Sequence, residues 1–429
     1  MIPACHAFEA PVAPVFSGKK ASITDFGAVS GGKVSCTDAF RDAMLSLGSE
    51  GGTVTVPAGC WLTGAIHFLD NIELHLEDGA EILFSPNLAD YLPAVLGVYE
   101  GIRCYRPSAM LHAEGKRNIA VTGKGLLNGN GAAFWEMVYY PAGPRDMIES
   151  AKAGRPVEER VYTKWEQGVR PCFLEFLDCE NVLIEDVTFK DSPMWTVHPT
   201  WCRNVTVRGI SIDNPMDDRF HHSPNTDGVN LDGCRRALVE NCTIYCGDDC
   251  VCMKSGKNED GRASGHICED VEVRNCHFIR GIGGITIGSE TSGSIRNLYC
   301  HDIDMKDITI GIWVKSTPER GGFIEDLHYE NIVIEEAAHS GFNIMLGYDN
   351  AEMDGQWIPP IHNISAENVT LKDGKAGILM NGIPGHEPYD IRIKNFDFYA
   401  EKPLEITDVK NVTIENCSLR KNPSFVQRY

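Results

Sequence analysis

Two short acidic runs, Asn225-Thr226-Asp227-Gly228 and Gly247-Asp248-Asp249-Cys250, stand at matching points of a repeating pattern in this 429-residue chain. Each run opens a stretch in which apolar residues alternate, as they do in a half-buried β-strand. The 21 residues from Asp227 to Asp248 are a plausible length for one coil of a β-solenoid. Carboxylates at equivalent points of adjacent coils would lie side by side, which is one way to assemble an acid and a base for cleavage of a glycosidic bond.

The chain repeats itself from about residue 60 onward. The recurrent unit is an Asn or Asp followed by alternating apolar residues, and its starts between residues 181 and 411 are separated by 21 to 37 residues. Each copy is too short to bury a face alone, so the copies must stack on one another. Copies begin at Asn71, Asn118, Asn181, Asn204, Asp270, Asn297, Asp326, Asn363, Asp390 and Asn411, and one further copy begins without the Asn or Asp, at Ala237.

A second set of strand-like segments lies between these copies. Two strand ladders per coil, joined by variable turns, predict an all-β fold, a single-domain right-handed parallel β-helix. A β-propeller would need four strands per blade and hairpin turns, and the periods here are too short for that. The seven segments of the second set are Trp195–His198, Gly228–Leu231, Cys250–Met253, Gly284–Ile287, Ile312–Lys315, Phe342–Met345 and Ile378–Asn381.

The N-terminal part of the chain departs from the repeat. We expect residues 1–21 to form an extended arm and residues 22–429 to form one β-helix domain. Helical apolar spacing at residues 38–47, with Ser35 or Thr37 as candidate N-cap, predicts a helix there. Since the terminal coil of a solenoid exposes its core and its strand edges, we expect this helix to cap the N-terminal end.

Two later segments also interrupt the repeat. Residues 131–170 are long, aromatic and charged, and we expect an inserted loop region that could wall one end of a groove. Residues 346–362, which include Tyr348 and Trp357, are a shorter example. Their aromatic side chains could either line a sugar groove or only cover the edge of the fold.

Composition excludes several classes of partner. The formal charge of −21 argues against nucleic acid. No apolar run reaches 18 residues, so we expect no membrane-spanning segment. The sixteen cysteines show neither a disulfide framework nor a paired zinc pattern, and we expect them to be small buried hydrophobes.

The same cysteines bear on location. Many unpaired thiols favour a reducing compartment, and no signal peptide is visible at the N-terminus. The prediction is therefore a cytoplasmic protein, with a periplasmic or secreted location as the alternative if a signal peptide has been removed. We predict no cofactor and no metal.

Several motifs together resemble those of the polygalacturonase family, glycoside hydrolase family 28. The similarity extends over most of residues 22–420 and is specific in combination, although each tetrapeptide alone is weak. Besides the two acidic runs, it is carried by Ile23–Ala28, Trp61–Gly64, Ser192–Pro199 and Gly284–Glu290.

The resemblance implies a right-handed parallel β-helix and an inverting hydrolase. By that resemblance Asp248 is the general acid, while Asp227 and Asp249 hold and deprotonate the attacking water. An acid and a base with a water between them need carboxyl groups about 6.5–9.5 Å apart, and crowding should raise the pKa of one carboxyl. The competing interpretation is a set of Asx turns, and for Asp213, Asp217, Asp218 and Asp232 we do expect a role in turns or simple solvation.

Two positions depart from the family pattern. The family's Gly-His-Gly reads Gly281-Ile282-Gly283, and its Arg-Ile-Lys reads Trp313-Val314-Lys315. In the family that Arg and Lys bind a substrate carboxylate, which suits a guanidinium fork. Ile282 and Trp313 therefore favour a neutral or deoxy sugar such as rhamnose, or another modified pectic sugar. The alternative is a compensating base in a neighbouring turn, from Lys254, Arg320, His221, His222 or Arg296.

The remaining candidates would bind substrate. Trp313 offers a stacking face for a sugar ring, and Asn225 is expected to orient the turn that carries Asp227. His198 could line the groove or be a satisfied buried histidine. The full predicted set of substrate-binding residues is Lys315, Trp313, Asn225, Tyr348, Lys254 and His198.

The prediction is an inverting glycoside hydrolase that acts on pectic oligosaccharides derived from galacturonan or rhamnogalacturonan. We expect exo action, because the insertion at 131–170 could block a through-groove. One alternative is a polysaccharide lyase on the same kind of β-helix, which would usually need a calcium site and a basic residue. Another is a glycan-binding solenoid that has lost activity.

Overall fold

Three ladders of parallel strands wind around one apolar core in the computed structural model, which describes residues 8–214, 223–348 and 355–422. Successive coils pair in parallel along each ladder, and the predicted all-β, right-handed parallel β-helix is confirmed. The pattern predicts two ladders per coil, whereas the structure has three. The missed ladder consists of short strands such as Thr188–Lys190, in which only one residue is fully buried.

The first ladder contains the Asn-led repeat. Its separate strands are Lys20–Ser22, Gly52–Val56, Ile72–Leu76, Arg117–Gly123, Glu180–Glu185, Arg203–Arg208, Arg235–Glu240, Cys268–Arg274, Tyr389–Lys394 and Lys410–Glu415. The second ladder, which the sequence pattern missed, contains Gly59–Thr63, Ala80–Phe84, Leu126–Asn128, Thr188–Lys190, Ser211–Asp213, Thr243–Tyr245 and Ser418–Lys421.

The third ladder carries the acidic runs at its leading edge. Its separate strands are Ile66–His67, Leu111–Glu114, Leu174–Leu177, Val197–Thr200, Val229–Asp232 and Val251–Lys254, and the first three of these precede the seven predicted segments. In the C-terminal half the strands bend around the corners and join two or three ladders. These long strands are His277–Ile287, Ile295–Lys315, Ile324–Met345, Ile361–Asn381 and Asp397–Thr407.

The recurrent asparagine is a corner residue. Asn118, Asn181 and Asn204 have φ of 52°, 59° and 56°, a left-handed conformation that asparagine tolerates better than most residues. Each also donates its side-chain amide to the asparagine of the coil before, with Asn181 Nδ2 2.9 Å from Asn118 Oδ1 and Asn204 Nδ2 2.9 Å from Asn181 Oδ1. The repeat thus marks a turn and a hydrogen-bonded stack.

The cysteines lie inside the coils, as expected. All fifteen cysteines in the described ranges are free thiols, and all but Cys60 and Cys417 are buried. Cys242 and Cys276 occupy the same point of adjacent coils and are fully buried. They therefore pack as small side chains in the apolar core.

The N-terminal helix spans Thr37–Ser46 and packs Ala39, Phe40, Ala43 and Met44 into the core at the first coils. The N-cap prediction was wrong, because the N-cap is Cys36, which makes no side-chain capping bond. Thr37 is already helical, and its hydroxyl lies 3.1 Å from Thr63 Oγ1 and accepts from the Gly64 amide at 2.8 Å. That hydroxyl ties the helix to the second ladder instead.

The described part of the arm has no regular structure until the strand Lys20–Ser22, so the β-helix begins two residues earlier than predicted. Glu9 pairs with Arg236 at 2.6 Å, which places the arm along the first ladder.

The insertion at 131–170 is largely helical rather than a loop. Its helices are Ala132–Trp135 and Ala142–Lys152, with short 3-10 turns at Glu136–Tyr139, Val157–Glu159 and Trp165–Gln167. Two other 3-10 turns occur outside the insertion, at Ile23–Phe26 and Leu88–Tyr91.

The insertion packs against two further elements that the sequence did not indicate. One is an antiparallel hairpin of Val95–Tyr99 and Ile102–Arg106, and the other is the helix Asn258–Ser264. The hairpin and the insertion share a second apolar cluster, and a buried ion pair of 2.6 Å joins Arg160 to Asp260. We call these three elements together the wall.

Among the described residues, no helix has the length and apolarity needed to cross a membrane.

The corner stack generates a test of the fold. Replacing Asn181 with Ala should lower the free energy of unfolding by about 2–4 kcal/mol. The change removes two side-chain hydrogen bonds, and alanine tolerates a positive φ less well than asparagine does. Asn181→Gly should cost less, because glycine accepts that φ. Urea-induced unfolding of both variants measures the difference, and equal losses would show that the backbone conformation contributes nothing.

Candidate active site

Coil register decides which aspartates lie opposite each other. Val229 pairs with Val251, so Asp227 lies opposite Asp249, and the amide of Gly228 donates to the Asp249 carbonyl at 2.9 Å. The predicted pairing of Asp227 with Asp248 was therefore wrong by one residue. Asp227 and Asp249 form the equivalent pair, and Asp248 precedes it in the chain.

The three carboxyl groups converge. One oxygen from each of Asp227, Asp248 and Asp249 lies within 4.8 Å of the other two. Asp227 and Asp249 are only 2% and 1% exposed, whereas Asp248 is half-buried. The separation is shorter than the expected range of about 6.5–9.5 Å, because the three residues come from directly adjacent coils whose strands are only about 4.8 Å apart.

The crowding has the expected electrostatic effect. Burial and the neighbouring Asp248 raise the pKa of Asp227 well above its ordinary value. Asp227 Oδ1 and Asp249 Oδ1 are both buried without a hydrogen-bond partner in the described protein. The crowded site therefore keeps a proton near Asp227 at pH values where an isolated carboxyl would be ionised.

Two lysines balance the charge. Lys254 Nζ lies 3.1 Å from Glu290 Oε2 and 3.8 Å from Asp227 Oδ2, and Lys315 Nζ lies 3.0 Å from Asp249 Oδ2. Burial opposes their charge, yet these carboxylates raise the pKa of Lys254 and of Lys315. Both ammonium groups therefore stay charged and are already paired inside the site.

The glycines of the next coil allow this close approach. A Cβ at Gly283 would clash with Asp249 Oδ1 and Thr286 Oγ1. The position that faces the aspartates is thus Gly283, and not Ile282, which corrects the predicted placement of the missing histidine. Ile282 instead donates its amide to the Asp248 carbonyl at 2.7 Å.

Asn225 is held in the turn before Asp227, as expected. Its φ is 53°, and its Nδ2 lies 3.5 Å from Asp248 Oδ2. Arg170, which is 1% exposed, donates to Asn225 Oδ1 at 2.6 Å and to the carbonyls of Pro193 and Pro224 at 3.0 and 2.7 Å. Arg170 was missed because its sequence context, at the end of an insertion, carries no motif.

The aspartates open into a pocket of about 170 Å³, which is small for a sugar-binding site. The turn of the hairpin closes one side, where Lys257 donates its amide to the Gly101 carbonyl at 2.9 Å. Besides the three aspartates, the pocket is lined by the predicted Asn225, Lys254, Lys315 and Tyr348, by Arg320, which was one of the alternative bases, and by Glu100, Trp195, Lys257, Ser289 and Glu290.

The additional lining residues differ in how far the sequence could have shown them. Trp195 and Glu290 stand inside motifs already noted, and Lys254 lies 4.7 Å from the centroid of the Trp195 ring. Burial opposes ionisation of Glu290, but Lys254, Lys257 and Arg320 together keep its pKa well below the usual value. Glu100 and Lys257 lie outside the repeat, and no pattern in the sequence singles them out.

Two predicted residues are not in the pocket lining. Trp313 is 7% exposed, with Lys315 Nζ 3.9 Å from its ring centroid and Tyr348 against its edge, so its face is covered. His198 is fully buried between Asp232 at 3.5 Å and Thr200 at 3.0 Å. Burial disfavours a positive charge on the His198 imidazole, but the neighbouring Asp232 carboxylate raises the pKa of His198 to about 9.

The structure also locates Asp232 and Arg296, two further residues that the sequence analysis named. Asp232 is buried and accepts from the Gly256 amide at 2.9 Å, so it serves a turn but is not solvated. Arg296 pairs with Glu269 at 2.7 Å on the first ladder, outside the pocket lining. Asp217, Asp218, His221 and His222 lie outside the described residues, and so does part of the segment 346–362. Trp357 of that segment is half exposed and does not line the pocket.

The three aspartates are also the group with the geometry to ligate a cation among the described residues. The ammonium groups of Lys254 and Lys315 already supply positive charge to Asp227 and Asp249, within 3.8 and 3.0 Å. The pairing suits a proton-transfer site better than a metal centre.

Comparison with known proteins agrees with this geometry. Residues 157–419 match the model of glycosyl hydrolases family 28. A probable polygalacturonase of Vitis vinifera is 29% identical over 92% of this chain and 78% of its own length, and an exo-poly-alpha-D-galacturonosidase of Dickeya chrysanthemi is 24% identical over 93% and 70%. The crystal structure of a hyperthermoactive exopolygalacturonase from Thermotoga maritima superimposes with a TM-score of 0.88 at 30% identity, covering 98% of this chain and 95% of that one.

The raised pKa of Asp227 predicts a stability that depends on pH. The folded state holds this proton more tightly than the unfolded chain, so stability is lost as the pH rises from the ordinary value of 3.8 through the folded pKa. Asp227→Asn should therefore raise the melting temperature at pH 8 by about 2 °C, the scale of roughly 1 kcal/mol in a long chain, and leave it unchanged near pH 4.

Thermal unfolding at both pH values checks this expectation. Asp213→Asn is the matched control, since Asp213 is exposed on a neighbouring strand and should show no pH-dependent gain. A destabilised Asp227→Asn variant at pH 8 would contradict the raised pKa.

Proposed function

The chain belongs to glycosyl hydrolase family 28, and from this membership we propose that it releases single sugars from the ends of pectic oligosaccharides with inversion of configuration. The observation that carries the proposal is the trio of Asp227, Asp248 and Asp249 at the closed end of a small pocket. A glycoside hydrolase needs one carboxyl group that donates a proton and another that accepts one, and the trio can supply both.

Asp248 is the proposed general acid. It is the half-buried member of the trio, so its carboxyl can reach a glycosidic oxygen in the pocket. The proton that the site holds near Asp227 passes through Asp248 to the leaving oxygen while the glycosidic bond breaks, and this leaves Asp227 ionised. Asn225 Nδ2, 3.5 Å away, orients the Asp248 carboxyl and is itself held by Arg170.

Asp227 and Asp249 are the proposed base. Each has one buried oxygen without a protein partner, and a water bonded to both could be deprotonated as it attacks the anomeric carbon. One oxygen of each carboxylate lies within 4.8 Å of the others, which by itself is nearer the spacing of retaining enzymes. The proposal of inversion depends instead on the burial of Asp227 and Asp249. Because these carboxylates are only 1–2% exposed, they reach a sugar through a water more readily than directly.

The wall supports exo action. The hairpin turn at Glu100 and Gly101 packs against Lys257 and Glu290, so the pocket ends where an endo-acting enzyme would need an open groove. Buried contacts anchor the hairpin to the third ladder, with Arg106 2.8 Å from Glu175 and the Val98 amide 2.9 Å from the same carboxylate. A polymer could therefore enter with one end only.

The predicted outcome on polygalacturonate is the release of monosaccharide from the first time points, in the anomeric form opposite to that of the bond cleaved. Proton NMR of the fresh reducing end distinguishes the two anomers before they equilibrate, and chromatography of early samples gives the product size.

Each part of the proposal has its own contradicting result. Retention of configuration would assign a nucleophilic role to one of the recessed carboxylates. A ladder of mixed oligosaccharides at early times would mean endo action. Unsaturated, UV-absorbing products would identify a lyase.

The acid assignment predicts that Asp248→Asn lowers kcat by about 10²–10⁴-fold, the usual contribution of a general acid, while product binding measured by calorimetry is retained. Asp390→Asn is a suitable control, because most other coils carry asparagine at that corner. Full turnover by Asp248→Asn would exclude Asp248 as the acid.

A further inference from the structure

The four cations of the pocket are not equally available to a ligand. Lys254 is paired with Glu290, Lys315 with Asp249, and Lys257 lies 3.7 Å from Glu100. Arg320 also lines the pocket and is 7% exposed, yet no carboxylate of the described residues lies within ion-pair distance of it.

Arg320 is nevertheless held in place. Its Nε donates to the Ser289 carbonyl at 2.9 Å, and its Nη1 donates to Asn258 Oδ1 at 2.6 Å. Both acceptors are uncharged, and the remaining three of the five guanidinium N–H groups have no partner in the described parts of the chain. With Nε and Nη1 held in this way, the Nη2 group is fixed in orientation and can donate to an anion in the pocket.

The place where the family pattern puts an arginine cannot take this role. Trp313 stands there, and its ring is covered by Lys315 and Tyr348. Arg320 follows a few residues later, in the turn that leaves the end of the strand Ile295–Lys315. The turn, rather than the strand, thus brings the uncommitted guanidinium to the pocket.

Local pairing of charges favours an anionic ligand at this point. Each of the three lysines has its own carboxylate within 3.7 Å, namely Glu290, Asp249 or Glu100. The acidic groups that could neutralise the lysines are already present, so Arg320 is the cation left for a ligand. A neutral sugar would leave this nearly buried guanidinium without a counter-ion, which costs free energy.

We propose that Arg320 binds the carboxylate of the sugar held in the pocket, so that the enzyme selects a uronic acid at the end of its substrate. The inference rests on the proposed function and replaces the preference for a neutral or deoxy sugar that Trp313 indicated from sequence. The substrate class is an oligosaccharide with a free, unesterified uronate at its terminal position.

The experiment compares trigalacturonate with its fully methyl-esterified form. The wild-type enzyme should prefer the free acid by at least about tenfold in kcat/KM. Arg320→Gln should lose about 10- to 100-fold on the free acid, as expected for charge-assisted bonds, and less than about threefold on the ester. Arg320→Lys keeps the charge but not the planar guanidinium, so its kcat/KM on the free acid should lie between those of the wild type and Arg320→Gln.

Arg296→Gln is the matched control, since Arg296 pairs with Glu269 away from the pocket. Calorimetric binding of galacturonic acid and of galactose to the wild type and to Arg320→Gln gives a readout that does not need turnover. The wild type should bind the acid more tightly, and the variant should bind both sugars alike.

The outcomes separate the two proposals. Equal losses of Arg320→Gln on acid and ester would make Arg320 a structural residue and overturn the inference, as would a wild-type preference for the ester. Either result leaves exo-hydrolysis standing. An inactive wild type on every pectic oligosaccharide would overturn the proposed function, and the binding comparison would then still decide for or against Arg320.

Discussion

Parallel register between coils is the constraint on which the rest of the structure depends. Each residue lies beside its counterpart on the next coil, about 4.8 Å away, so side chains of one kind stack on their own kind. Apolar residues form the core in this way, and asparagines form the hydrogen-bonded corner stack. The same rule brings Asp227 against Asp249, where like charges meet and the stack is electrostatically unfavourable. The candidate active site is therefore the place where register works against stability.

The register also supplies the counter-ions. Lys254, Gly288 and Lys315 occupy one column of the third ladder, in three successive coils. Gly288 lies between the two lysines and adds no side chain of its own. Lys254 pairs with Glu290, and Lys315 pairs with Asp249. The three aspartates, Glu290 and two ammonium groups thus share a small buried volume in which carboxyl groups outnumber cations. Burial and this crowding, above all by Asp248, explain why the pKa of Asp227 is raised.

What could be predicted from the sequence follows the repeat. The β-helix and the trio of aspartates are visible because register gives them a periodic signal. The one-residue error in pairing Asp227 arose because the coil is 22 residues long at that point, and only hydrogen bonding determines this. The second ladder was missed because four of its seven separate strands have only three residues, which is too short an alternation to detect as a repeat. The hairpin at Val95–Arg106 and the positions of Lys257 and Arg320 depend on contacts between distant segments, for which no local pattern exists.

The division between repeat and turns has a functional consequence. The proton-transfer groups belong to the ladders, where changing one residue disturbs the coils on both sides. The wall, Lys257 and Arg320 belong to connections outside the ladders, which tolerate change more easily. Substrate selection can therefore alter while the aspartates stay in place. Trp313 illustrates the point, because a ladder position that could read a carboxylate is filled with an apolar ring, and a guanidinium from the following turn faces the pocket instead. A substitution at a ladder position is thus a poor guide to the substrate unless the adjoining turns are read with it.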